Sequence, residues 1–437
     1  MNTTIFIYIY HNLINLCNLD YYAAIISLVV INLLLYYSKN KSKLEQEYEV
    51  LSCDKIASSN KDTKQEISSK NKKKIGLLTN EIPPVIYGGV STWILNFIEM
   101  FDKNEKYEVI VIYLAYQDYP PEIFKKLYPN IRYIFNQNDI DLNFKDIDIC
   151  INNVWITYDI VINIKNNFQH LPIISVCHSL IQMEHITNLG SQYTKNWENQ
   201  DLIFKYSDYV ILISNSERNH YFRLGYNKFK AIPIVIYNSY KPKYDNRCDL
   251  VDYSNINIGY IGRHVPRKRP ELPILSTSVM NRPDIEVYNM GVDYTKNKNL
   301  FWDKMDKEYD NLHIIPFSSL PEDKIKFWSS IGVNCITGIY EPFGYTMCET
   351  LDRGVPCIVQ NIEGPAEIIG DFKKYVITYE VEKDIEKDLQ NFTIAVEKFL
   401  KKTASEKKIM ALNARKALDN FRPNVIVKDW LKLLDSL

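Results

Sequence analysis

Residues 341–354 read EPFGYTMCETLDRG, and residues 355–369 continue VPCIVQNIEGPAEII. Two carboxylates, Glu341 and Glu349, flank an aromatic–Gly–Tyr–Thr segment, and a Gly–Pro–Ala–Glu turn follows. The first stretch reads as a loop running into a helix. Phe343, Gly344, Tyr345 and Thr346 then fall near the helix N-terminus, where exposed backbone N–H groups form an anion site and Gly344 permits close approach. Glu349 falls about one turn into the helix, placed to accept from the two hydroxyls of a ribose, while Glu341 stays in the loop within reach of a sugar. A spaced pair of glutamates also reads as helix-start capping and solvated charge, so the surroundings decide.

Upstream, INIGYIGRHVPRKRPEL (256–272) places Gly262, Arg263 and Lys268 immediately after an apolar run. Arg and Lys at the carboxyl end of a strand can clamp a diphosphate and offset leaving-group charge. By itself, VPRKRP reads equally as a solvated basic turn.

The apolar runs set the fold class. IGLLT (75–79), EVIVIYLA (108–115), IRYIF (131–135), DIDICINN (146–153), PIISVCHS (172–179), SDYVILIS (207–214) and AIPIVIYN (231–238) read as strands, with helical patterns between several of them. After the polar segment 239–255 the alternation restarts with INIGYIG (256–262), IEVYNMG (285–291), LHIIPF (312–317), VNCITG (333–338), PCIVQN (356–361) and KYVIT (374–378). Apolar strands alternating with helices predict parallel sheets covered on both faces. The expectation is an α/β protein of two Rossmann-like domains, 74–240 and 256–420, joined by a linker at 241–255 and closed by a helix at 421–437. In the first domain Gly88–Gly89 open a turn after the Pro83–Pro84 break, and Ser91 or Thr92 is expected to cap the next helix.

The N-terminus is of another kind. Tyr21 to Tyr37, YYAAIISLVVINLLLYY, carries no charge, and with the preceding Leu19 and Asp20 the span reaches about the lower limit for crossing a bilayer. Lys39, Lys41 and Lys43 follow and no basic residue precedes it, which predicts a single-pass helix over about 19–37 with the bulk of the chain cytosolic. Residues 1–38 read as the anchor and 39–73 as a Lys-rich flexible tether. A buried soluble helix is the bland alternative for the apolar span.

Bulk properties exclude some classes. A net charge of −1 over 437 residues gives no field favouring nucleic acid, and no basic–aromatic patch marks such a partner. The eight cysteines form no CxxC pair and no zinc spacing, so they read as reduced thiols and no metal is expected. Asp139–Asp141 and Asp146–Asp148 match an Asp-x-Asp metal motif by spacing alone, the second as the entry to a strand.

Taken together, GRHVPRKRPE, NLHIIPFSSLPEDKIKFWSSIGVNCITG, EPFGYTMCE and EGPAEII resemble, in order, the retaining GT-B glycosyltransferases of family 4 (glycosyl transferases group 1). PPVIYGGVSTW and SDYVILISNSERNHYFRLG extend the resemblance into the first half. It implies a GT-B fold whose two domains face a cleft, the N-terminal one for the acceptor and the C-terminal one for a nucleotide sugar. It implies that Gly88 and Gly89 face the donor phosphates and that His178, read from the sequence alone as a core or surface histidine, touches the donor sugar. It likewise implies that Arg263 and Lys268 bind the diphosphate and Glu341 holds the transferred sugar. Phe343, Gly344, Tyr345 and Thr346 would form the backbone cradle, and Glu349 would bind the ribose. The expected reaction is metal-independent transfer with retention, with a nucleoside-diphosphate sugar as donor substrate, no cofactor, and a lipid-linked or membrane-associated acceptor as one possibility. An epimerase or phosphorylase on the same scaffold, or a membrane-tethered non-catalytic scaffold, are the alternatives. Two departures stand out. Thr350, Leu351, Asp352 and Arg353 replace the small residues usual after the second Glu, and Tyr237–Asn238–Ser239–Tyr240 lacks the Gly usual in the interdomain turn.

Overall fold

The computed structural model describes residues 72–83, 88–115, 122–136, 138–188, 197–243, 251–292, 300–318 and 320–437. These fall in one compact unit, Lys70–Leu437. The expected anchor and all but the last residues of the tether lie outside the described residues. Among the described residues no helix is long and apolar enough to cross a membrane.

Two parallel sheets carry the fold. The first runs β3-β2-β1-β4-β5-β6-β7. Its strands are β1 Lys73–Thr79, β2 Tyr107–Leu114, β3 Arg132–Ile134, β4 Ile149–Asn152, β5 Ile173–Cys177, β6 Tyr209–Leu212 and β7 Ile232–Val235. The second runs β10-β9-β8-β11-β12-β13. It is built from β8 Ile258–Ile261, β9 Val287–Val292, β10 Leu312–Pro316, β11 Val333–Ile336, β12 Cys357–Gln360 and β13 Ile377–Tyr379. Every apolar run listed above forms a strand, most shortened by a residue or two at the ends. The central strands are buried on both faces, as in β4, β5, β11 and β12, which is why their sequences are apolar throughout and do not alternate.

In both sheets the strand order reverses beside the first strand, between β1 and β4 and between β8 and β11. Open α/β sheets bind ligands outside the carboxyl ends of strands at such switch points. The segments leaving β1, β8 and β11 hold Gly88–Gly89, Arg263–Lys268 and Glu341–Thr346.

The chain then returns. The last helix, Pro423–Leu434, packs on helix Gly89–Phe101 of the first half, with the Trp430 ring edge-on to Phe97 at 5.0 Å and tilted against Trp93 at 6.1 Å. Lys106 and the Tyr107 hydroxyl both bond Asp435 at 2.8 Å. One apolar cluster therefore runs from Trp93 and Phe97 through Trp430 to Phe343, Met347 and Leu351.

One expectation is corrected here. Helix Gly89–Phe101 starts earlier than Ser91, with Gly88 as N-cap and no side-chain cap; Thr92 instead donates to the Gly88 carbonyl at 3.0 Å, and Ser91 is buried. Asp352 and Arg353, part of the departure after the second Glu, are both fully buried. Asp352 accepts from the Tyr240 hydroxyl at 3.0 Å, the Lys243 amide at 2.7 Å and Arg415 at 3.0 Å. It thereby fastens the segment after β7 to helix Tyr345–Arg353. The turn that lacks glycine is pinned in the same region: the Ser239 carbonyl accepts from Asn96 at 2.8 Å, and the Tyr240 amide donates to Phe421 at 2.7 Å.

Candidate active site

Gly344 carries the geometry of the central loop. Its φ of 105° is a conformation that L side chains rarely adopt, and it is the N-cap of helix Tyr345–Arg353. The amides that open that helix have no intrahelical partner. Pro365 closes one side of the loop, 3.2 Å from where a Gly344 Cβ would stand. A Cβ at Gly364 would run into the Pro342 carbonyl oxygen, so only glycine lets the GPAE turn lie against the loop. The Gly364 amide donates to the Glu341 carbonyl at 3.1 Å.

Glu341 and Lys268 meet directly, carboxylate to ammonium, both largely buried. Burial works to raise the Glu341 carboxyl, but Lys268, Arg267 and Arg263 together hold it below its ordinary value. Burial, only partly opposed by Glu341, lowers Lys268. Arg263 is exposed just beyond β8, and its charge is felt at Glu341 and at Glu81, on the segment leaving β1. The basic turn is thus only partly solvated: Arg267 and Arg269 are buried, and Lys268 meets the carboxylate in the loop after β11.

Glu349 lies in helix Tyr345–Arg353 with only 11% of its side chain exposed, and both its oxygens stand 3.1 Å from the Lys324 ammonium of helix Pro321–Ser330. The opposite wall is formed by the first half. Gly89 faces Tyr345 across the gap, 3.6 Å from a notional Cβ to the ring, while around Gly88 there is open space. The Tyr345 hydroxyl donates to the Ser239 carbonyl at 3.3 Å, so its side chain bridges the halves while its amide heads the helix. Phe343 is buried against Tyr345 and Phe421. Thr346, also in the first turn, accepts through its carbonyl from Thr350 at 2.8 Å.

His178 follows β5, its ring edge-on to Trp93 at 5.1 Å. Its Nε2 is buried without a hydrogen-bond partner among the described residues, and burial lowers its pKa to about 3. The imidazole is therefore neutral at physiological pH. It bonds none of the other site residues.

Four residues that the sequence reading did not single out hold this site. Arg267, nearly fully buried, donates to the Tyr340 carbonyl at 2.8 Å and to Glu184 at 3.0 Å. Lys324 pairs with Glu349, and Tyr340 and Glu217 bond each other from opposite halves. Arg267 and Tyr340 adjoin Lys268 and Glu341 in sequence, which was the available signal. Nothing local marks Lys324 or Glu217.

The Asp-x-Asp pairs are occupied otherwise. The Asp139 carboxylate accepts from the Phe135 and Asn136 amides, and Asp146 pairs with Lys74 and Arg132. Asp148 accepts from the Lys74 amide at 2.6 Å. Among the described residues no group of three or more His, Cys, Asp or Glu is placed to hold a metal ion.

The family model for glycosyl transferases group 1 matches residues 252–416. No curated protein matches the sequence. Solved structures do. The Anabaena protein HepE, in complex with UDP and glucose, is 16% identical over 84% of this chain and 100% of its own, with a TM-score of 0.62. The sucrose-phosphate synthase of Thermosynechococcus elongatus is 16% identical over 84% of this chain and 99% of its own, with a TM-score of 0.67. The lipopolysaccharide outer core galactosyltransferase WaaB, in its apo form, is 16% identical over 83% and 100%, with a TM-score of 0.59. At these identities the likeness establishes the fold, a GT-B arrangement of two Rossmann-like sheets.

Proposed function

Residues 252–416 belong to the glycosyl transferases group 1, and from that premise we propose that this glycosyltransferase moves a sugar from a nucleoside-diphosphate sugar to an acceptor, with retention and without a metal ion. One observation carries the reading. The Lys268–Glu341 pair and the Gly344-headed helix N-terminus converge at the carboxyl ends of β8 and β11, the switch point where such sheets bind ligands.

Charge develops on the leaving diphosphate as the glycosidic bond breaks. The amides of Tyr345 and Thr346 and the Lys268 ammonium, held in place before the reaction, meet it there together with the Arg263 guanidinium. Glu341, acceptor-only because it is ionised, takes hydrogen bonds from the transferred sugar. Glu349 accepts from the ribose, and His178 offers a neutral imidazole to the sugar from the other half. No side chain serves as nucleophile in this scheme. The departing phosphate oxygen takes the acceptor's proton on the face it leaves, which gives retention.

HepE was solved with UDP and glucose, which makes UDP-glucose the first donor to try here. The uncharged stretch Tyr21–Tyr37, followed by Lys39, Lys41 and Lys43, supports a single-pass anchor with the catalytic part cytosolic, and it makes a lipid-linked or membrane-associated acceptor the first class to screen.

The test is turnover of UDP-, GDP- and ADP-sugars carrying a labelled sugar, with and without EDTA. Released nucleoside diphosphate with the label on an acceptor or on water supports transfer. An isomerised donor, a sugar phosphate, or no turnover of any donor would replace it with the epimerase, phosphorylase or scaffold reading. Strict dependence on Mn²⁺ would remove the metal-free step.

A further inference from the structure

Tyr340 belongs to the second half by sequence and to the first by packing. It leaves β11 one residue before Glu341, yet its ring is fully buried in the core of the first sheet, with Leu180, Met183 and Tyr221. Among the described residues it is the only member of that core from beyond β7. Its hydroxyl accepts from the Leu180 amide at 2.8 Å and donates to Glu217, 2.7 Å from one oxygen and 3.0 Å from the other. Glu217 is itself fully buried and also receives the Leu180 amide at 2.7 Å. The Tyr340 carbonyl is held from the other side by Arg267, which reaches on to Glu184.

Leu180 stands two residues after His178, and Tyr340 one residue before Glu341. A single hydrogen bond, Leu180 amide to Tyr340 hydroxyl, therefore joins the loop of the one to the loop of the other. We propose that Tyr340, anchored by Glu217, is a positioning residue that sets His178 and Glu341 in register across the two halves. The inference takes its kinetic consequence from the sugar-transfer reading; the structural coupling stands without it.

The geometry makes the role more than support. Other bonds already tie the halves together: Glu367 accepts the Asn215 and Ser216 amides at 2.8 and 2.6 Å and the Tyr237 hydroxyl at 2.6 Å, and His220 bonds Glu363 at 2.8 Å. None of these touches the loops of His178 and Glu341 at once. The phenolic ring also has few ways to sit in a packed core, so its bonded hydroxyl restrains the backbone that leads into Glu341. A misplacement of about 1 Å at reacting groups costs about a hundredfold in rate.

Tyr340→Phe keeps the ring and removes the hydroxyl. In the full chain, hydrogen exchange of the segments 178–181 and 339–343 should quicken together, about fivefold for the loss of one hydrogen bond. Turnover number should fall about tenfold or more with the donor KM within about twofold, since misplacement acts on the reacting sugar more than on nucleotide binding. Tyr237→Phe removes an interhalf hydrogen bond elsewhere and should lower the melting temperature while leaving both readouts unchanged. Faster exchange confined to 339–343, or an unchanged turnover number with both segments loosened, would overturn the proposal. Should the wild-type chain consume no nucleotide sugar, the transfer reading falls and the exchange experiment alone decides the role of Tyr340.

Discussion

The Lys324 ammonium stands 3.1 Å from both carboxylate oxygens of Glu349, the residue proposed to bind the ribose. Each oxygen keeps lone-pair capacity for one further donor. Lysine and ribose therefore share the carboxylate without competing for it. Lys324→Met should weaken nucleoside-diphosphate binding about tenfold or more, because it leaves a buried carboxylate unpaired. It should also erase any preference for ribose over 2′-deoxyribose. Calorimetric titration with UDP and 2′-deoxy-UDP measures both; an intact preference in the variant would show that Lys324 does not orient Glu349.

Lys268 and Glu341 neutralise each other in the free site, so removing either leaves the other buried and unpaired. Lys268→Ala should lower turnover about a hundredfold or more, the loss of one preorganised charge at about 2.7–4 kcal/mol. Glu341→Gln should lower it comparably while leaving UDP affinity near wild type, because Glu341 is assigned to the sugar. Steady-state rates paired with UDP titration separate the two, and wild-type turnover in either variant would remove that residue from the mechanism.

Gly364→Ala tests the packing of the central loop. Its Cβ would collide with the Pro342 carbonyl, so the loop or the helix after β12 must shift. The expected cost is about 1–3 kcal/mol for overpacking, read as a lower melting temperature. Turnover should fall with it, since the Glu341 carbonyl is held by the Gly364 amide. Unchanged melting would mean that the turn yields freely.

Burial pushes the Glu217 carboxyl up to about 8, against the hydrogen bond from Tyr340, with Glu363 and Glu184 adding to the rise. Its ordinary value is 4.5, so between that and about 8 the folded chain keeps a proton that the unfolded chain has released. The contribution of Glu217 to stability is therefore full below about pH 4.5 and is lost as pH rises towards 8. Glu217→Gln should flatten this slope and gain on the wild type as pH increases. Denaturant titrations at several pH values from 5 to 8 check it, and parallel slopes for the two proteins would refute it.

Much of this architecture was legible because strands are local. Thirteen apolar runs became thirteen strands, since burial, on both faces in the central ones, leaves a signature within a few residues. The loops at the carboxyl ends of β1, β8 and β11 were legible too, through glycines and prolines whose backbone demands do not depend on distant partners. Ser91 and Thr92 were misread as caps because a residue type favoured at helix starts does not fix which residue starts the helix. Asp352 was opaque for another reason: its partners Tyr240 and Lys243 lie about 110 residues before it and Arg415 lies 63 after it.

By itself the sequence determined two parallel α/β sheets and the residue types at their switch points, because periodicity and backbone chemistry act over short range. Which residues meet across the fold depends on packing between distant segments. Lys268 and Glu341 lie 73 residues apart, and Tyr340 and Glu217 lie 123 apart. A buried charge or hydroxyl must find a partner wherever the packed core offers one. That requirement pairs Lys324 with Glu349 and Lys268 with Glu341, and seats a tyrosine of the second half in the core of the first.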